Sequence, residues 1–402
     1  MWIYRLLISL AAPLLWAHRI WRSGGAFEAI RPAQAPRNQG HTLWIHAASN
    51  GEITSAKPLL QELLERDPAL HLAITVNTPS AVSMAQGWSL PRSHVSYAPL
   101  DLRWRINGFL KAVRPAAILI IENEFWPNKI LTAHAYGVPV LVAGARLSKT
   151  SARRWRLLPK LAHRMTQAIT QLSPQDPASA QRFRDLGLPA EKILPELNLK
   201  LFYTPPAVDA PKTDRLQTIL AASTHDGEDI DVVTAFAAAH RLNPSLRLII
   251  APRHPRRAQA ILDAAQKHGL AIAQRSAGAA FDDEAPIWLA DTMGEMAQWY
   301  SAAGLCFVGG SLVDKGGHTP FEPAAHGMGL LTGPHIENFE PHFEALQAEA
   351  AAQIVPDAEA LRDAFIALPN TSKLRKMGQT AQAYHARKGS LDPLIDAIRA
   401  TL

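Results

Sequence analysis

An α/β protein with two doubly wound halves is the fold class the sequence predicts, and three observations predict it. Short apolar runs of strand length recur along the chain, stretches with helical periodicity separate them, and a proline-rich polar segment divides the series in two. Length agrees with this division, since 402 residues at roughly 150 per domain give two or three domains. A hydrophobic fraction of 48% with 19% charged residues is globular, which excludes a disordered chain and a multi-span membrane protein. The 41 Lys and Arg against 35 Asp and Glu leave a net charge of +6, which points to an anionic partner without saying which. Cys306 is the only cysteine, so no intrachain disulfide and no cysteine-built zinc site can form. A reducing compartment fits that usage.

The first element is apolar. Leu6 to Ala17 read LLISLAAPLLWA, well short of the roughly 20 residues a membrane span needs. Ile3, Leu7, Leu10 and Leu14 fall on one helical stripe, and Trp2, Trp16, Trp21, Arg19 and Arg22 flank it as headgroup-level residues would. Residues 1–22 are therefore expected to form a shallow membrane-anchor helix. The alternatives are a soluble helix packed on the body and a cleaved secretory signal, although WAHR offers no small-x-small cleavage site.

Strands of the first half are expected at TLWIHAA from Thr42, HLAITV from His71, AAILII from Ala116 and VPVLVA from Val138. Their near-continuous apolar character is that of parallel strands buried on both faces. Those of the second half are expected at TILAAS from Thr218, LRLIIA from Leu246, APIWLA from Ala285, LCFVGG from Leu305 and GLLTG from Gly329. Between them TPPAVDAPKTD, residues 204–214, has linker composition. The expected domains are thus 23–203 and 215–402. Ligands of open α/β sheets bind beyond the carboxyl ends of the strands, so chemistry is sought in the loops there.

Five such loops carry chemistry-bearing residues. HAASNGE, His46 to Glu52, turns from strand to helix and places Glu52 near a helix amino end, as a general base or as a first-turn residue favoured by the helix dipole. ENEFWPN sets Glu122 and Glu124 at the end of a buried strand, where acids are costly unless paired or in use; the bland reading is one cap and one lysine pair. AASTHDGE offers Ser223, Thr224 and His225 beside a helix start whose N–H groups attract phosphate, while APRHPRR places Arg253 and His254 after a buried strand. Phe307 to Glu340 holds Gly309, Gly310, Gly316, Gly317 and Glu322, a glycine-lined approach with an acid suited to a ribose diol. The GxGxxG and GxxxxGK[ST] fingerprints are both missing. So is HExxH, and His318 and His326 show no third ligand, so no metal is expected. RRWRLLPKLAHR, with Arg153, Arg154 and Arg156, reads as a lipid-phosphate or membrane patch or as a solvated helix. No stacking platform accompanies the basic residues, so no nucleic-acid partner is expected.

Taken in order, HAASNGE, ENEFWPN, GARLS, NLK, AASTHDGE, APRHP and FVGGSLVDKGGHTPFEPAA resemble the 3-deoxy-D-manno-octulosonic acid (Kdo) transferases of lipopolysaccharide synthesis. The resemblance implies a GT-B glycosyltransferase fold with two Rossmann-like domains facing a cleft, an acceptor-binding amino half and a CMP-Kdo-binding carboxyl half. It implies no cofactor. Glu52 matches the general base, and Glu122 an acid also required for activity. Lys200, Ser223, Thr224, Arg253, His254, Gly309, Gly310, Ser311, Leu312 and Glu322 match positions near the donor's CMP. Asn50, Asn123, Leu197 and Thr319 depart from the commonest family pattern.

The implied function is inverting transfer of Kdo from CMP-Kdo to a lipid A precursor, lipid IVA, at the cytoplasmic side of the inner membrane. The phosphate leaving on CMP would be held by Arg253 and by the N–H groups of the glycine turn. Rival readings are a GT-B transferase with another nucleotide sugar and an inactive membrane protein that binds lipid phosphate.

Overall fold

The computed structural model describes residues 4–5, 8–13, 41–209, 211–279 and 285–402. It divides into two compact units, Met1–Phe202 with Lys388–Leu402, and Tyr203–Arg387. Each unit is a parallel sheet clothed by helices, the double winding expected from the alternating runs.

In the first unit six strands lie in the order β3-β2-β1-β4-β5-β6. They are β1 (Thr42–His46), β2 (His71–Val76), β3 (Ser93–Tyr97), β4 (Ala117–Ile121), β5 (Val140–Ala145) and β6 (Gln171–Pro174). Side chains alternate across the sheet, so Leu43, Ile45, Leu119 and Ile121 face one core while Trp44, Ile118 and Ile120 face another. Helices α1 (Asn50–Arg66) and α2 (Pro79–Gly87) cover the first face. On the second lie α3 (Arg103–Val113), α4 (Pro127–Ala135), α5 (Lys149–Arg156), α6 (Pro159–Ala168) and α7 (Pro177–Asp185). Helix α1 shows why the turn after β1 holds its shape. The Ser49 hydroxyl caps it by accepting the Glu52 N–H, and Ile53, Ala56, Leu59, Leu60, Leu63 and Leu64 bury one helical stripe.

The second unit has seven strands in the order β13-β12-β11-β7-β8-β10-β9. In chain order they are β7 (Thr218–Thr224), β8 (Arg247–Pro252), β9 (Ile272–Gln274), β10 (Ile287–Leu289), β11 (Leu305–Val308), β12 (Gly329–Thr332) and β13 (Ala352–Ile354). The helices between them are α8 (Glu228–Leu242), α9 (Ala258–Lys267), α10 (Met296–Ala302), α11 (Phe321–Ala325), α12 (Glu340–Ala348), α13 (Ala358–Ala367) and α14 (Ser372–Ala386). Ile219, Ile250, Phe307 and Leu331 from the central strands meet Val233, Phe236 and Phe365 from the helices in one core.

Two expectations are corrected. A domain running from 215 to 402 is not what forms, because α15 (Asp392–Arg399) packs on the first unit. Its Leu391, Leu394, Ile395 and Ile398 join the core beneath α1, and Asp392 pairs with Arg66. An apolar stripe at i, i+3, i+4 and i+7 says that a helix must bury that face, not which core receives it. Second, the basic stretch from Arg153 is not one helix. It breaks at Leu157–Leu158, with Pro159 opening α6.

The expected anchor lies mostly outside the described residues. Its described parts, residues 4–5 and 8–13, are helical. Tyr4 donates its hydroxyl to Asp101 at 2.7 Å, and Arg5 Nε donates to Asn128 at 3.2 Å, so this piece is tied to the body at two points. Among the described residues no helix is long and apolar enough to cross a membrane.

Candidate active site

Chemistry in the first unit gathers at the carboxyl ends of β1, β2 and β4. Glu52 stands in the first turn of α1, and its carboxylate turns back to accept the Ala48 N–H at 2.6 Å. Burial raises its pKa to about 7, helped by the charges of Glu122 and Glu124 and opposed by the Ala48 hydrogen bond and Lys200. A carboxyl that is half ionised near neutrality suits proton transfer.

The paired acids do not point the same way, as an unbroken strand would have aimed them. β4 ends at Ile121, and Glu122 turns into the left-handed region with φ +56, which few non-glycine residues adopt. Glu122 then pairs with Lys200 Nζ at 2.7 Å, the ammonium coming from a short 3-10 turn, Leu199–Phe202. Glu124 takes a different set of partners. It accepts from His46 Nε2 at 2.9 Å and from Trp126 Nε1 at 2.7 Å. Because a carboxylate only accepts, the imidazole nitrogen facing it carries the proton. Burial pushes His46 down to about 4, so the ring is neutral at pH 7. Glu124 is held down at about 2, its burial outweighed by His46, Lys129 and Trp126. Asn77 donates to the same carboxylate at 3.4 Å, from the loop after β2.

The second unit builds its own site at the ends of β7, β8 and β11. Ser223, like Glu122, sits at a strand end with a left-handed φ of +58. Gly309 must lack a side chain there, since a Cβ would stand 2.7 Å from the Ser223 carbonyl oxygen and 2.8 Å from Thr224 Cα. Ser223, His318, Thr319 and Glu322 line a cavity of about 150 Å³ floored by Ala222 and Val308. Arg253 and His254 are exposed at the end of β8. His225 stacks on His318 with Nε2 to Nε2 at 2.9 Å and meets His254 edge-on. Two nitrogens that close share a single proton. Burial and the neighbouring cations lower both His225 and His318, the latter to about 4. Thr224 differs from Ser223: it is fully buried and donates its hydroxyl to Asp229 at 2.6 Å.

The glycine turn corrects an expectation. Its N–H groups are not open to a phosphate: the buried carboxylate of Glu228 takes those of Gly310 at 2.7 Å and of Ser311 and Leu312 at 2.8 Å, with His225 N–H at 2.9 Å from the loop after β7, and the Ala222 carbonyl takes that of Gly309 at 2.9 Å. Glu228 opens α8, so a first-turn acid of the helix fills the cluster of loop N–H groups beside it. Sequence reading passed over Glu228 as one acid among many in a helix first turn, and nothing in its spacing marks it. His46 was also missed, since a histidine inside an apolar strand reads as core. Among the described residues no group of three His, Cys, Asp or Glu side chains is placed to hold a metal ion.

Comparison with known proteins decides what this arrangement belongs to. A family model described as "3-Deoxy-D-manno-octulosonic-acid transferase (kdotransferase)" matches residues 22–203. The 3-deoxy-D-manno-octulosonic acid transferase of Haemophilus influenzae is 32% identical over 381 residues, covering 92% of this chain and 89% of that protein. The chain belongs to the Kdo transferase family. The enzyme of the same name from Bordetella pertussis is 32% identical over 426 residues, covering 98% of each chain. UDP-GlcNAc 2-epimerase from Neisseria meningitidis, solved bound to UDP-GlcNAc, shares the fold with a TM-score of 0.59 at 14% identity, over 90% of this chain and 99% of that one. The fold is thus that of GT-B glycosyltransferases and related epimerases, and this Kdo transferase family member is a glycosyltransferase. Its expected site residues fall in two groups, Glu52, Glu122 and Lys200 in the first unit, and Ser223, Thr224, Arg253, His254, Gly309, Gly310, Ser311, Leu312 and Glu322 in the second. Arg153, Arg154 and Arg156 are exposed on α5, with Arg156 paired to Asp185 at 3.0 Å.

Proposed function

We propose that this glycosyltransferase moves Kdo from CMP-Kdo to a hydroxyl of a lipid A precursor, lipid IVA, with inversion at the anomeric carbon. The observation that carries the reading is Glu52, a carboxyl at a strand end raised to about 7 and steadied by a backbone N–H. It accepts the proton of the acceptor hydroxyl as the oxygen bonds to the anomeric carbon. The bond from that carbon to the phosphate oxygen breaks in the same displacement, and its electron pair leaves on CMP. No covalent enzyme intermediate is needed, because the donor already carries its leaving group; positioning and charge stabilisation suffice.

In the second unit Ser223 and Glu322 receive the nucleoside part of the donor, and Arg253 with the His225–His254–His318 cluster holds the departing phosphate. Gly309 and Gly310 let the turn pass close to Ser223 and His318, while Ser311, Leu312 and the buried Thr224 keep it in shape. Glu122, paired with Lys200, adds a like charge that helps hold the Glu52 pKa up. Lys200, at a position the resemblance implies is near the donor, serves both with its ammonium. Arg153, Arg154 and Arg156 meet the acceptor's phosphates or the membrane surface, on the cytoplasmic side of the inner membrane. The test is mass spectrometry of lipid IVA incubated with CMP-Kdo and the purified full chain. The expected result is a Kdo-bearing product with CMP released one for one. Unchanged lipid IVA under conditions where CMP competes for binding and UDP does not would reject the acceptor, and competition by UDP instead would reject the donor.

A further inference from the structure

The first unit carries a second basic site that the transfer chemistry does not use. A pocket of about 490 Å³ opens between the N-terminal helical segment, α3, α4 and α6. Arg5, Arg103, His134, His163 and Arg164 line it, and among the described residues no acidic side chain does. Burial and the facing guanidiniums of Arg103 and Arg164 depress the Arg5 pKa, so three cations are held close together here. Asp101 is committed elsewhere, accepting from the Tyr4 hydroxyl, the Asn128 N–H and the Lys129 N–H.

The surroundings of the pocket are unlike the rest of the unit. Leu10 is 68% exposed, Trp104 57%, Leu157 78% and Leu158 52%, and Tyr136 joins them. All lie on the N-terminal segment or on the layer of α3 to α6, whereas α1, α2 and α15 on the opposite face show no exposed large apolar side chain among the described residues. Arg153, Arg154 and Lys160 stand on this same layer. Exposed aromatic and aliphatic side chains mixed with arginines are what a surface needs to sit at the boundary of an anionic bilayer.

We propose that this pocket, between the N-terminal segment and α3, α4 and α6, seats the phosphate of a lipid headgroup and fixes how the first unit rests on the bilayer. The guanidiniums of Arg103 and Arg164 offer paired N–H donors to phosphate oxygens, and Arg5 closes the third side. The inference rests on the reading that the transferase works at a membrane. It adds a site separate from Glu52 and its partners.

Flotation of the full chain with phosphatidylcholine vesicles doped with phosphatidic acid tests it. Arg103→Ser/Arg164→Ser is compared with the parent and with Arg241→Ser/Lys267→Ser, which lowers the net charge equally in the second unit. At about one order of magnitude per two cations near an anionic surface, the pocket pair is expected to weaken vesicle binding by about tenfold or more. The second-unit pair should bind as the parent does, and Arg103→Lys/Arg164→Lys should recover most of the loss. Equal binding by parent and pocket pair, or equal loss in both Ser pairs, would overturn the proposal. Inorganic phosphate is the second arm. Should it saturate shifts of the His134 and His163 imidazoles at sub-millimolar level while the pocket pair floats normally, the ligand is free phosphate and the lipid assignment is wrong. CMP affinity, measured on the same variants, is expected to stay at the parent value and reports separately on the transferase reading.

Discussion

Glu52 and Glu228 are both first-turn acids of helices that follow the opening strand of their unit, and the protein uses them in opposite ways. Glu228 is fully buried, and four backbone N–H groups hold its charge. Replacing it with Gln exchanges charge-assisted bonds for neutral ones and sets an NH₂ against N–H donors, at a cost of about 2–4 kcal/mol. Glu228→Gln is therefore expected to lower the melting point of the chain and to weaken CMP binding through the displaced Gly309–Leu312 turn. Calorimetry with and without CMP checks both. Glu52 has a single N–H partner, and its ionisation works against folding because its folded pKa lies above the unfolded carboxylate value. The sign follows from linkage: the protonated form is the stabilised one, so stability is lost as pH rises from the ordinary carboxylate range through about 7. Glu52→Gln, which imitates the protonated acid, is expected to gain about 1–3 kcal/mol over the parent at about pH 8 and nothing at about pH 4. Denaturant titrations at the two pH values measure it. His46 and Glu124 work the other way. Both are depressed, so their contributions are present at neutral pH; that of His46 is lost as pH falls from its ordinary value toward about 4, that of Glu124 nearer 2.

Sequence was most informative about elements buried on both faces. Every run read as a strand, from TLWIH to GLLT, proves to be an interior strand of its sheet. The four strands that escaped notice, SHVSY, QLSP, IAQ and AQI, are the four sheet edges, β3, β6, β9 and β13. Edge strands have a neighbour on one side only and bury less, so polar residues are tolerated and the apolar run that betrays a parallel strand does not develop. Helix α15 escaped for another reason, since its apolar face is legible but its destination depends on the path of the chain. Leu394 and Ile395 are buried in the core under α1. Leu394→Ala is expected to cost about 2–5 kcal/mol. Hydrogen exchange should quicken in β1, β2 and α1 while β7 and β11 keep their protection. Faster exchange in the second unit instead would return α15 to that unit.

At the scale of the whole molecule, the strand-end loops were singled out because open α/β folds bind ligands beyond the carboxyl ends of their strands, and Glu52, Glu122, Ser223 and Arg253 do stand at strand ends. What the sequence hid was which groups are already committed: the glycine-turn N–H groups to Glu228, the Thr224 hydroxyl to Asp229, and the Lys200 ammonium to Glu122. Such pairings join residues 5 to 84 positions apart, and no local pattern announces them. The division of labour between the units also makes a prediction. Arg253→Ala, in the exposed loop after β8, is expected to weaken CMP binding by about tenfold, the worth of one charged contact. Glu52→Gln should leave that affinity unchanged, and titration calorimetry of the two variants separates the roles. Transfer by this route needs Glu52 as its base. The pH dependence of single-turnover Kdo transfer from CMP-Kdo to lipid IVA tests this most directly, comparing the parent with Glu52→Gln. The expected result is a rate that climbs with pH through about 7 in the parent, and in the variant a rate lower by about 10²–10⁴ with that rise abolished. A variant that keeps most of its rate, or keeps the same rise near neutrality, would contradict it.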